Sequence, residues 1–228
     1  MFQMSSAKRI PLPFKIIPLE DEVQQKIAKD FAGYPNGLVS CNHWGFKFSA
    51  TVTEQEVEDM YNHPLDPRDV WVVTPPKCGT TWTQEMVWLI ANDLDYEGAK
   101  TPFIPDRHLF TEYFMKDELG EAPFIEHMIE AWNLRHHPNL CFLFYEDMKK
   151  DLRAQIRKVA KFFGKDFSEE QVDKLAEHLH IDNFKKNPFV NFESLNKLGL
   201  TYPDRGSFVR KGKTGDWKNH FTPEMNEK

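Results

Sequence analysis

Asp69-Val70-Trp71-Val72-Val73-Thr74-Pro75-Pro76-Lys77-Cys78-Gly79-Thr80-Thr81-Trp82 is the stretch on which the fold turns. Residues 69–74 form a compact, β-branched run of the kind found in buried parallel strands. Neither Pro75 nor Pro76 can donate to a ladder, so the strand is expected to stop there. Beyond the turn the period changes. Trp82, Met86 and Ile90 recur four apart, with Val87 and Leu89 alongside, which predicts a helix over residues 80–92. A strand, a glycine-bearing turn and a helix make the geometry of an anion site, because the first helical N–H groups lack intrahelical partners and the helix dipole adds positive charge. Gly79 lets the backbone come close to a ligand, Thr80 and Thr81 offer hydroxyls, and Lys77 offers a full charge. The order differs from G-x-x-x-x-G-K-[ST], since here the lysine precedes the glycine. The plain alternative is a strand joined to a helix with threonine as its N-cap.

Working outward, residues 54–61 read as a short helix that Asn62-His63-Pro64 ends. A second amphipathic helix is predicted over residues 122–135, with Phe124, Ile125, Met128, Ile129 and Trp132 on one face. Residues 140–144 are another buried-strand candidate, followed by helices near 149–163 and 168–178. Strand and helix alternate, so the expected fold class is α/β, a mostly parallel sheet flanked by helices. From Asn187 onward Gly, Pro, Asn and Lys dominate, which reads as a long functional loop. The sequence carries no internal repeat and no low-complexity segment.

With 228 residues, 40% hydrophobic and 28% charged, the chain is expected to form one domain over 1–228. Its net charge of −6 gives no bulk attraction to nucleic acid or to an anionic membrane, so any anion must be held by local features. Residues 1–18 have no apolar core of signal-peptide length, and the longest apolar runs are too short to span a bilayer. Three scattered cysteines, Cys41, Cys78 and Cys141, argue against a disulfide framework and for a cytoplasmic home. No metal site is expected.

A second anion grip is suggested by Phe208-Val209-Arg210-Lys211-Gly212-Lys213-Thr214-Gly215-Asp216-Trp217-Lys218. Arg210, Lys211 and Lys213 lie between and beside two glycines, so amides and cations can converge on one compact anion. A solvated basic loop is the plain alternative. Two grips in one small domain fit a ligand with two phosphate-like ends.

These segments resemble the cytosolic sulfotransferases. Residues 74–82 look like that family's 5′-phosphosulfate loop, and residues 208–218 look like its 3′-phosphate loop. Phe144-Tyr145-Glu146-Asp147-Met148 and Lys185-Lys186-Asn187-Pro188 match further segments, in order along the chain. The resemblance implies a donor, 3′-phosphoadenosine 5′-phosphosulfate (PAPS), a product, 3′-phosphoadenosine 5′-phosphate (PAP), and a small-molecule acceptor hydroxyl or amine. It implies that Lys77 stabilises the leaving phosphate and that Cys78, Gly79, Thr80 and Thr81 hold the 5′ side. Trp82 would stack on adenine, with a core helix residue as the alternative that its periodicity leaves open. Tyr145 would contact the adenine side, and Arg210, Lys211 and Gly212 would hold the 3′-phosphate.

The chain also departs from the family pattern. The family's Lys-Thr-His-Leu-Pro or Lys-Ser-His-Leu-Pro stretch, whose histidine is the general base, has no counterpart, nor does its Arg-Asn-Pro-Lys-Asp segment with the following Ser-Tyr-Tyr. A join between Phe110 and Thr111 is expected, with a central block missing and the sheet incomplete. His108, in Asp106-Arg107-His108-Leu109-Phe110, is the weak local candidate for a base. His136, His137, His178 and His180 read as helix-end or surface histidines. The chain ends at Lys228, before the family's final helix. Lys218, Thr222 and Glu227 resemble its dimer motif, altered by Pro223, so a homodimer is expected only with that contact weakened. The expected function is PAPS-dependent sulfuryl transfer. The alternative is a catalytically impaired nucleotide-binding variant of that family. A nucleotide kinase is disfavoured, since a plain nucleoside triphosphate has no 3′-phosphate for the second loop.

Overall fold

Helices make up most of the regular structure in the computed structural model, which describes residues 9–31, 34–43, 45–64, 66–74, 78–100, 124–193, 209, 211–219 and 221–223. The chain gathers into two compact units, one of Met1–Trp71 with Asp106–Ile129 and one of Val72–Pro105 with Glu130–Lys228.

The first unit carries a three-stranded antiparallel sheet, β1 (Ile16–Pro18), β2 (Leu38–Cys41) and β3 (Lys47–Ser49), in the order β1-β2-β3. Ile17 faces Ser40 across one ladder and Val39 faces Phe48 across the other. Helix α1 (Asp21–Asp30) closes over it, burying Ile27 against Phe31 and Leu38. The Gln24 side chain ties α1 to β2: its Nε2 donates to the Leu38 carbonyl at 2.6 Å and its Oε1 accepts from the Leu38 N–H at 2.7 Å. Helix α2 (Glu54–Tyr61) has the bounds expected from sequence. It starts at a capping box, in which Thr53 accepts from Glu56 N–H and Glu56 accepts from Thr53 N–H.

The second unit is built on α3 (Thr80–Ala91), α5 (Tyr145–Lys150), α6 (Leu152–Phe162), α7 (Glu169–His178) and α8 (Ile181–Lys186). α4 (Phe124–Asn133) spans the division between the units. The core of the second unit joins Met86, Leu89 and Ile90 of α3 to Met148 of α5, Ile156 and Val159 of α6, and Val172 and Leu175 of α7. Each such side chain contributes roughly 1.5–3 kcal/mol by leaving water. The helix expected over residues 149–163 is two helices, because Asp151 turns its carboxylate back to accept the Ala154 N–H at 3.0 Å and so caps a new start. Ser168 and Gln171 form a capping box at the start of α7. Lys165 Nζ donates to the Ala91 carbonyl at 2.8 Å, placing a cation on the negative end of α3.

Neither strand expected at 69–74 and 140–144 forms among the described residues, and the one sheet there is antiparallel. A strand exists only through its neighbours' N–H and C=O groups. Val70, Trp71 and Val73 are 49%, 63% and 66% exposed, the state of a core strand without its sheet. In α4, Ile125, Met128, Ile129 and Trp132 are likewise exposed, so this helix has the amphipathic pattern read from sequence without the burial. Short elements missed by periodicity are α1, α8, the three strands and a 3₁₀ turn at Asp216–Asn219. All but the 10-residue α1 are too short to give a repeat.

Candidate nucleotide site

Gly79 is the N-cap of α3, in the left-handed region at φ 90° and ψ 23°, and no side chain caps the helix. A Cβ on Gly79 would lie 2.8 Å from Cδ2 of Tyr145, so both backbone angle and space demand glycine. The first-turn amides of α3 therefore open on the side of the turn, with the dipole of a 12-residue helix behind them. Thr74 and Thr80 are joined through their hydroxyls, which ties the chain entering the turn to the helix leaving it.

Cys78 is exposed on this turn. Its thiol is held above the usual range, first by the desolvating atoms around it and second by the carboxylate of Glu146. A neutral thiol is no nucleophile. Trp82 is half-buried, its indole N–H donating to the Leu179 carbonyl at 2.9 Å. The Tyr145 ring meets it edge-on, with centroids 5.7 Å apart, and Lys149 Nζ lies 5.4 Å from the ring. Cys78, Gly79, Thr80, Thr81, Trp82 and Tyr145 are thus brought together, whereas Lys77 lies outside the described residues, as do Arg210 and His108.

The second loop is seated differently. Gly212 has φ 59°, and a Cβ there would lie 2.6 Å from Cδ1 of Ile181, the first residue of α8. Lys211 Nζ is paired with Asp216 at 2.8 Å, and Asn219 Nδ2 donates to the same carboxylate at 3.1 Å.

Sequence reading missed a pair beneath the turn. Glu85 is 7% exposed and lies 2.7 Å from Nε2 of His178, which is 25% exposed in the last turn of α7. His178 is a helix-end histidine, as expected, but not a surface one, since its ring also packs edge-on to Tyr96 at 5.1 Å. The legible signal was Glu85 itself, which falls on the apolar stripe with Trp82, Met86 and Leu89. His180 caps α8, and His137 accepts from the Asn139 N–H at 3.2 Å. Among the described residues no His, Cys, Asp and Glu group could hold a metal ion, and no helix is long and apolar enough to cross a membrane.

The family profile of the Sulfotransferase domain matches residues 67–117 and 104–228. Sulfotransferase 1C2 of Rattus norvegicus is 37% identical over 282 aligned positions that take in 90% of each chain. Those 282 positions exceed the 228 residues here, so the alignment runs through gaps. Sulfotransferase 1E1 of Bos taurus is 39% identical over 134 residues, 55% of this chain, and that match spans only 43% of the relative's length. The crystal structure of retinol dehydratase in complex with androsterone and inactive cofactor PAP resembles this one with a TM-score of 0.83. Identity there is 27%, over 96% of this chain and 94% of that one.

Proposed function

The chain belongs to the sulfotransferase family, and on that premise we propose that it transfers a sulfuryl group from PAPS to a hydroxyl or amine of a small molecule. The observation that carries this is the turn at Gly79. It is a left-handed glycine, uncapped by any side chain, opening a 12-residue helix with Tyr145 packed against its back. Its donors are backbone amides and neutral hydroxyls, which suit a phosphosulfate oxygen and need no movement to meet it. The donor supplies an activated sulfuryl group whose bond to the 5′-phosphate breaks in the transfer.

In this reading Lys77 neutralises charge growing on the 5′-phosphate, and Cys78 through Thr81 hold its oxygens. Trp82, pinned by its bond to Leu179, offers the adenine its half-exposed face, with Tyr145 setting the tilt. Arg210, Lys211 and Gly212 take the 3′-phosphate. The acceptor is a small molecule, and the reaction runs in the cytoplasm with no nucleic-acid or membrane partner. A homodimer through residues 218–227 belongs to this reading as well, weakened at Pro223.

The same proposal covers the sheet. The profile matches in two pieces that meet at 104–117, around Phe110 and Thr111. We read this as a join where a central block is lost from a single domain. That block would pair with residues 69–74 and 140–144 in a parallel sheet and cover the exposed Val70, Trp71, Val73 and Phe144 side chains.

The test is transfer of labelled sulfate from PAPS to a phenol by the purified chain, with Lys77→Ala as control. Label should move to the phenol, and Lys77→Ala should lower kcat about 100-fold or more, as for loss of one oxyanion donor. Binding of PAP without transfer would select the impaired variant. Failure to bind PAP would overturn both.

A further inference from the structure

Residues 140–144 run as a strand without a neighbouring strand among the described residues, and no N–H of residues 141–144 finds an acceptor there. Their side chains alternate as a strand's do. Cys141 and Leu143 pack on the core of the second unit. Phe142 and Phe144 instead meet Trp132 of α4, with ring centroids 5.6 and 5.8 Å from it. Trp132 and Phe144 are exposed, and the Arg135 guanidinium lies 4.0 Å over the Trp132 ring.

The two edges of this segment differ. On one, the Phe142 carbonyl already accepts from Lys158 Nζ at 2.7 Å. The other carries the amides of Cys141 and Leu143, because successive residues of a strand turn their backbone groups to opposite sides. The segment has no charge, no proline and no glycine, a composition that pairs with itself. Its flanks are of opposite sign. Arg135 precedes it, with His136 and His137, and Glu146 and Asp147 follow it in the first turn of α5, ahead of Lys149 and Lys150. An antiparallel pair of such segments brings Arg135 of one copy to the side of Glu146 and Asp147 of the other. A parallel pair would set like charge on like. Each chain carries a net charge of −6, so a neutral strand between complementary flanks is where two copies meet without repulsion.

We propose that residues 140–144 dock a second copy of this chain, strand against strand and antiparallel, about a two-fold axis at Phe142. Cys141 and Leu143 exchange backbone hydrogen bonds with Leu143 and Cys141 of the second copy. Phe142 then faces Phe142 across the axis, in the narrow position without hydrogen bonds, where side chains lie closest. The exposed Trp132 and Phe144 rings border the pair and lose water as it forms. This surface is distinct from residues 218–227, and it does not depend on the nucleotide reading.

The test is sedimentation of the full chain over a range of concentrations, with cross-linking to fix the register. The unaltered chain should self-associate. Phe142→Asp sets two carboxylates against each other on the axis and should weaken that association at least about tenfold, whatever residues 218–227 contribute. Because the aspartate also gives up packing on Trp132, cross-linking supplies a check made without it. In a Cys141→Ser background, Phe142→Cys should form a disulfide with its own copy under oxidised glutathione, the two Cα atoms being about 4.5 Å apart. Phe144→Cys should not, because the antiparallel register holds the two residues about 14 Å apart. A monomer at every concentration, association unchanged by Phe142→Asp, or cross-linking no better at position 142 than at 144 would overturn the proposal.

Discussion

The two loops read from sequence as anion grips are built in opposite ways. The first is the start of a 12-residue helix whose Met86, Leu89 and Ile90 are fully buried, so its donors are backbone groups fixed by the core. The second packs Val209 on the core and Gly212 against Ile181, and its Lys211 is already paired with Asp216. Backbone donors held by a core need no reorganisation to meet a ligand, whereas paired cations must first let go of a partner. In the proposed reading the first loop is therefore the anchor, and the second the element that discriminates.

The sharpest way to break this contrast is Gly79→Val. A β-branched residue at φ 90°, with its Cβ against the Tyr145 ring, strains the turn and displaces its amides. PAP affinity should fall about 100-fold and stability by roughly 1–3 kcal/mol, read by calorimetry and thermal melting. Gly212→Ala should cost less, about tenfold in PAP affinity, because the clashing atom is the flexible end of Ile181. Combined with Ile181→Ala, which clears that space, the loss should be smaller than the sum of the two single losses. A double-mutant cycle would then show coupling of about 1 kcal/mol.

A smaller effect concerns Cys78. Its raised pKa means the protonated thiol is favoured in the folded state. The stabilisation this gives is present below the unfolded thiol's pKa and is lost as pH rises through the folded one. Alkylation by iodoacetamide at neutral pH, followed by peptide mass spectrometry, should thus be several-fold slower at Cys78 than in the unfolded chain, and should quicken only in alkali. The smallest effect is Asp216→Asn. It releases Lys211 from a partly exposed pair and should tighten PAP about two- to threefold at low salt, with the gain fading as salt rises.

Legibility in the sequence followed the same division. Elements defined by their own residues came through: α2 with its proline stop, α3 with its four-residue repeat, α7 with its serine cap. The turn into α3 was legible because glycine at position 79 permits the left-handed angle that opens the helix. Elements defined by partners did not come through. Residues 69–74 have the composition of a core strand but no neighbouring strand among the described residues, and composition cannot supply one. The Glu85–His178 bond joins positions far apart in sequence, and only the place of Glu85 on an apolar stripe hinted at it. Gly212 was singled out as a glycine beside Arg210 and Lys211, but that it lies against Ile181 is a fact of tertiary structure alone.

The central claim is that one molecule is gripped at both ends, and titration of the unaltered full chain with PAP and with adenosine 5′-phosphate tests it most directly. The two differ only by the 3′-phosphate. If the second loop supplies charge-assisted hydrogen bonds worth about 1.5–3 kcal/mol, PAP should bind roughly 10- to 100-fold more tightly. Equal dissociation constants for the two ligands would contradict the account.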